Sequence, residues 1–114
     1  MSRAHALGRR GETVATWLVR LRGGRVLARN QRVRGACEVD IVARYGRTLA
    51  VIEVKARRAG GAAEAVGPER VAGLSRAAQW LAESRGYEWV RTIRLDLVTI
   101  DGRRVRYFTD AFRL

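Results

Sequence analysis

The chain has one cysteine, one histidine, one proline and one lysine, and no apolar run near the roughly 20 residues that a membrane-spanning helix needs. Each scarcity excludes something. Cys37 alone cannot close an internal disulfide, and Cys37 with His5 cannot assemble a zinc centre from the usual ligands, so a metal here must be held by carboxylates. The polar start Met1-Ser2-Arg3-Ala4-His5 lacks the apolar segment of a secretory signal, and the expectation is a cytoplasmic protein. His5 itself, so near a terminus, lacks the fixed position that a general base requires.

What is abundant is arginine. Lysine and arginine total 23 against 11 acidic residues, a net charge of +12, and every basic residue except Lys55 is arginine. A planar guanidinium grips phosphate oxygens in pairs, and a basic surface gains affinity for nucleic acid by releasing counterions from the backbone. A habit of using arginine in place of lysine would not by itself create the excess over acids, so a nucleic-acid partner is the expectation. A length of 114 residues with 47% hydrophobic content fits one domain, residues 1–114, with a single modest core, and the small size favours an oligomer.

The acids that break this basic pattern fall in a telling place. From Glu38 to Lys55, Val39, Ile41 and Ala43 alternate with Glu38, Asp40 and Val42, a turn follows at Tyr45-Gly46, and Leu49 to Lys55 reads as a buried strand. The turn predicts antiparallel neighbours. Leu49, Val51, Glu53 and Lys55 then share one face, with Glu53 and Lys55 about 6.5–7 Å apart along it, and Asp40 within reach from the next strand.

On either side of this hairpin the periodicity is clear. Residues 7–22 place Leu7, Val14, Leu18 and Leu21 on one helical stripe, flanked by Ala15 and Trp17 and stopped by Gly23-Gly24. Glu12 sits on the margin of that stripe. Read from the helix alone it is a solvated first-turn carboxylate, or a partner of Arg9, and a margin residue can also point into a cleft beside a sheet. Arg25 to Arg32 reads as a first strand with Val26, Leu27 and Ala28 at its centre, ending at Asn30 before the basic segment Arg32-Val33-Arg34-Gly35. The glycine-rich stretch Ala56 to Pro68 predicts a mobile loop whose Arg57 and Arg58 can close on a bound strand. A second helix over 69–85 carries Val71, Leu74, Ala78 and Leu81 on one stripe, and a hairpin follows, Arg91 to Ile100 and Val105 to Thr109, joined by the turn Asp101-Gly102. Trp17 is expected in the core and Trp89 at the surface. The fold class expected is α/β: a mixed β-sheet flanked by helices in the order helix, three strands, helix, two strands.

Two neighbouring carboxylates repel unless a cation sits between them, and oxygen ligands with retained waters suit Mg²⁺ or Mn²⁺. Such an ion polarises a phosphate and lowers the pKa of a bound water, while a nearby ammonium orients the attacking group or neutralises the phosphate. Asp40 and Glu53 are therefore candidate metal ligands and Lys55 a candidate catalytic cation. An exposed Glu-x-Lys pair on a strand is the plainer alternative.

Taken in order, Gly11-Glu12, Arg29-Asn30, Glu38 to Ala43, Val51 to Arg57 and Arg94-Leu95-Asp96 resemble the YraN-like family of uncharacterised predicted endonucleases. That family is similar to archaeal Holliday-junction resolvases and belongs to the restriction-endonuclease-like superfamily, whose signature is an acid, a gap, then Glu/Asp-x-Lys on neighbouring strands. The resemblance implies an αβββαβ core plus a C-terminal strand, with Asp40, Glu53 and Lys55 as the central catalytic set. It adds Glu12 as a fourth site acid and metal ligand. Glu38 also matches, as a metal ligand, an arginine partner or a support of the fold. Arg9, Arg34, Arg57, Arg58 and Arg70 are the candidate phosphate contacts. The implied activity is Mg²⁺- or Mn²⁺-dependent hydrolysis of DNA, branched or structured DNA included, by a homodimer. The alternatives are a non-catalytic nucleic-acid binding module of the same fold, and a basic adaptor for a protein or ribosomal partner. Two positions depart from the pattern. Cys37 precedes Glu38 where the family usually has glycine, putting a side chain where a close backbone approach is expected. Arg70 stands where it usually has lysine, which preserves a phosphate contact but not a lysine-specific role.

Overall fold

A computed structural model describes residues 3–58 and 60–112, with side chains from residue 9 onward, so the side chains of His5 and Leu7 lie outside it. Helix α1 (Arg3–Leu21) leads into strands β1 (Arg25–Val33), β2 (Cys37–Tyr45) and β3 (Thr48–Arg57). A short 3-10 turn at Ala63–Ala65 precedes helix α2 (Pro68–Ala82), and strands β4 (Thr92–Asp101) and β5 (Arg104–Phe112) complete the chain. The five strands form one mixed sheet in the order β1-β2-β3-β4-β5, antiparallel except for the β3–β4 pair, which is parallel because α2 carries the chain back across the sheet. This is the expected α/β arrangement, and it is compatible with a restriction-endonuclease-like architecture. Among the described residues no helix is long and apolar enough to cross a membrane.

Each face of the sheet has its own core. Val33, Val39, Val42, Leu49, Val51 and Leu95 pack against Leu74, Ala77, Ala78 and Leu81 of α2. Ile41, Ala43, Ala50, Ile52, Val98 and Ile100 pack against Ala15 and Val19 of α1. The α2 stripe is the one the periodicity predicts. The α1 stripe is not: Val14, Trp17 and Leu21 are exposed, Trp17 at 59% and Leu21 at 81%, and the helix lies on Gly11, Ala15 and Val19 instead. Size decides this. A Cβ on Gly11 would stand 3.2 Å from Ile100 Cδ1 and 3.5 Å from Ala56 Cβ and Val54 Cγ1, so the helix approaches the sheet along its smallest side chains and turns its largest ones out. Trp17 is thus a surface residue under Arg20, 5.4 Å above its ring, whereas Trp89, expected at the surface, packs against the α2-side core and donates its indole N–H to the Gly86 carbonyl.

β1 does not end at Asn30 but runs through it to Val33, with Asn30 in the left-handed region at φ 52°. Across from it, the pairing of β1 with β2 steps from Arg29–Ile41 directly to Gln31–Val39, skipping Asp40. β2 and β3 are paired only from Ile41–Ile52 to Tyr45–Thr48, so beyond Ile41 the two strands part company. The alternation along β2 breaks at the same place, for Val39 belongs to the α2-side core while Ile41 and Ala43 belong to the α1-side core. The segment after β3 is pinned at its middle, with Ala62 buried and its N–H bonded to Asp101 Oδ1 at 3.0 Å.

Candidate active site

Where β2 leaves β3, the backbone N–H of Val54 loses its ladder partner. Asp40 supplies one, with Oδ2 accepting that N–H at 2.8 Å. This hydrogen bond fixes the Asp40 carboxyl beside Glu53, which is 2% exposed and points from β3 toward α2. Arg70, in the first turn of α2, reaches down and holds Glu53 with a two-pronged contact, Nε to Oε2 at 2.7 Å and Nη2 to Oε1 at 2.9 Å. The same Nη2 donates to the Glu38 carbonyl at 2.7 Å, tying β2, β3 and α2 together at one point. Lys55 lies two residues along the same face of β3, its Nζ 3.9 Å from Glu53 Oε2 and its side chain 29% exposed.

The electrostatics follow from this crowding. Burial, a hydrogen bond shared with Glu53 and the charge of Glu53 push the Asp40 carboxyl up to about 8, with a smaller push from Glu12 and an opposing pull from the Val54 N–H. Burial alone would raise Glu53 too, but the Arg70 hydrogen bonds, the Asp40 hydrogen bond and the charges of Arg70 and Lys55 outweigh it and hold Glu53 below the usual carboxylate range. At neutral pH the pair therefore shares one proton, held on Asp40, while Glu53 stays ionised against Arg70.

Glu12 approaches from α1 because Gly11 lets the helix lie close at this point. Its Oε1 is buried and has no hydrogen-bond partner. A buried acceptor without a donor is costly, and it is the kind of vacancy that a cation fills. The donor chemistry of Glu12, Asp40 and Glu53 is all carboxylate oxygen and suits a hard divalent ion, so in kind the residues fit Mg²⁺ or Mn²⁺. In position they are not a finished cage. Among the described residues no three acidic, histidine or cysteine side chains are grouped so as to hold an ion, and both oxygens of Glu53 are taken by Arg70.

Asp40, Glu53 and Lys55 thus come together as the sequence predicts, with Glu12 at their margin. The Glu38 side chain is exposed, and only its carbonyl takes part. Arg9, Arg34, Arg57 and Arg58 are exposed at the surface. Arg34 lies on the β1–β2 turn, where Arg32 to Cys37 line a concavity of ≈ 370 Å³. Arg57 and Arg58 follow Lys55 at the end of β3. Cys37 makes its close approach with help from the other side: Gly73 of α2 leaves room for it, and a Cβ there would stand 3.5 Å from Cys37 Cβ. Burial pushes the Cys37 thiol up, against the lowering charge of Arg70, so this sulfur is no ready nucleophile.

Sequence reasoning missed the grip of Arg70 on Glu53 and the network on the opposite face of the sheet. There Asp96, fully buried on β4, accepts from Arg94 Nε and Nη2 at 2.8 and 2.9 Å, from the Tyr107 hydroxyl at 2.6 Å and from the Asp110 N–H at 2.8 Å. The Arg94-x-Asp96 spacing on one strand face was the available signal; nothing in the sequence singles out Tyr107.

Comparison with known proteins places these features in a family. Residues 11–100 match the uncharacterised protein family UPF0102. A UPF0102 protein of Parvibaculum lavamentivorans is 46% identical over 112 residues, covering 96% of this chain and 84% of the relative. One from Mycolicibacterium vanbaalenii is 45% identical over 103 residues, covering 86% and 83%, and one from Bordetella avium is 39% identical over 112 residues, covering 95% and 75%. The chain belongs to the UPF0102 family.

Proposed function

We propose that the protein is a divalent-metal-dependent endonuclease that hydrolyses phosphodiester bonds in DNA, with Asp40, Glu53 and Lys55 as its central set. The observation that carries this reading is the excess of acceptors over donors at the parting of β2 and β3, where two touching carboxylates and the orphaned Glu12 Oε1 adjoin the chain's only lysine. Lys55 supports the assignment by its identity. A sequence that uses arginine at every other basic position keeps here the compact ammonium, which makes a point contact.

In this mechanism Asp40 and Glu53 would hold Mg²⁺ or Mn²⁺, with Glu12 as the further carboxylate. When bound, the ion supplies Lewis-acid polarisation of the scissile phosphate and a more acidic water. Asp40 would have to give up the shared proton to serve as a charged ligand. Lys55 orients the attacking water or neutralises a phosphate oxygen, and its position beside Glu53 on one strand face keeps it there. Arg9, Arg34, Arg57 and Arg58 bind the backbone of the strand without reading sequence. Branched DNA is the favoured substrate class because two such sites, in a homodimer, are needed to cut a junction symmetrically.

The rival reading, a nucleic-acid binding module without cleavage, draws on the Arg70 contact that already satisfies Glu53. A panel of single-stranded, duplex, flap and four-way DNA with Mg²⁺ or Mn²⁺ separates the two. Cleavage of at least one substrate, abolished by EDTA, is expected. Salt-dependent binding with no cleavage of any substrate would favour the module.

A further inference from the structure

A divalent ion on Glu53 and the guanidinium of Arg70 compete for the same two oxygens. Arg70 covers both of them, at 2.7 and 2.9 Å, and adds a third bond to the Glu38 carbonyl. The fork takes up acceptor capacity on both oxygens and holds a positive charge against them, so an ion binding Glu53 at close range works against it. Its release needs no backbone change: the Arg70 side chain is 29% exposed, whereas Glu53 is 2% exposed and stays where β3 places it. A planar guanidinium that leaves a carboxylate needs another two-oxygen acceptor, and a phosphodiester is one. Arg70 is also placed for the exchange, in the first turn of α2 and facing the parting of β2 and β3.

We propose that Arg70 is a displaceable latch, standing on Glu53 in place of the cation and transferring to a phosphate oxygen pair when metal and DNA enter together. The proposal rests on the nuclease reading above for the identity of metal and phosphate, and it adds a consequence which that reading lacks. Arg70 weakens metal binding in the absence of DNA, and DNA relieves the competition, so each ligand tightens the other. The site then loads fully only on its substrate. Arg70 acts through Glu53 and is a positioning residue.

The test is calorimetric titration of Mn²⁺ alone into wild type, Arg70→Lys and Arg70→Gln, with folding checked by circular dichroism and melting. Arg70→Gln removes both the charge and the fork and is expected to bind Mn²⁺ about tenfold more tightly than wild type. Arg70→Lys keeps the charge but not the fork and should fall between them. A merely structural arginine predicts the opposite, since losing it would loosen the site. If wild type binds Mn²⁺ and neither folded variant binds it more tightly, the latch is overturned while the metal site stands. Should Arg70→Gln fail to fold, the comparison of Arg70→Lys with wild type decides in the same way. If no form binds Mn²⁺, the metal reading itself fails and takes the latch with it. Tighter binding in the variants, with no cleavage of any substrate by wild type, upholds the latch and removes the nuclease.

Discussion

Asp40 and Asp96 answer the same local problem on opposite faces of one sheet. Each lies across from a non-glycine residue in the left-handed region and is itself unpaired with that residue's strand, Asn30 at φ 52° for one and Asp110 at φ 53° for the other. Each uses a side-chain oxygen to satisfy a strand N–H, that of Val54 or of Asp110. From there they diverge. Asp96 gathers a two-pronged arginine and a tyrosine hydroxyl, so its charge is buried and fully answered. Asp40 gathers a second acid, and with Glu12 nearby the cluster is left with acceptors it cannot satisfy. A buried acid with all its partners holds a fold together, and one denied them is held ready for something else.

The comparison breaks most visibly at Asp96. Asp96→Ala strands a half-buried guanidinium and a half-buried hydroxyl, and should cost about 3 kcal/mol of stability by chemical denaturation. Lys55→Ala, on the other side, should leave the melting temperature within about 1 °C and lower the cleavage rate by about 10²–10³-fold. A melting loss comparable to that of Asp96→Ala would make Lys55 a structural residue. Tyr107→Phe sharpens the contrast at smaller cost: losing one charge-assisted hydrogen bond to Asp96 should remove about 1–2 kcal/mol and leave cleavage by the folded protein unchanged.

How far these roles could be read in advance depends on where the cause lies. Asp40, Glu53 and Lys55 were legible because strand parity and the turn at Tyr45-Gly46 put them on adjoining strands near one point. The strand parting that joins them was not, because alternation along Glu38 to Ala43 predicts unbroken pairing, whereas β2 and β3 are paired only as far as Ile41–Ile52. The lying face of α1 was misjudged for a related reason. Hydrophobicity marks Val14, Trp17 and Leu21, but how closely a helix can approach a sheet depends on small residues, and Gly11 and Ala15 carry little hydrophobic signal. Arg70 was read as a phosphate contact from its place at the start of the second helix, where the resembled family usually has lysine. Its contact with Glu53 crosses 17 residues and two elements, and no periodicity encodes such a pair.

The smallest effect is one of pH. The folded pKa of Asp40 lies above its unfolded value, so without metal the native state holds a proton that the unfolded chain has lost, and stability falls as pH rises from about 4 toward 8. Glu53 works the other way, adding stability as pH rises to its unfolded value near 4.3 and contributing no slope above it. Asp40→Asn removes the first effect. It should flatten the decline, while binding Mn²⁺ more weakly. A wild-type stability that rises between pH 5 and 8 would show that Asp40 is ionised throughout.

The central claim is that the clustered acids Asp40 and Glu53 serve DNA cleavage, and the most direct measurement is the cleavage rate of wild type against Glu53→Gln with Mn²⁺ at one salt concentration, on protein shown to be folded and to bind the same DNA. The account predicts cleavage by wild type, loss by about three orders of magnitude in the variant, and DNA affinities that agree within a few-fold because many arginine–phosphate contacts share the binding. Equal rates from the two proteins would contradict it.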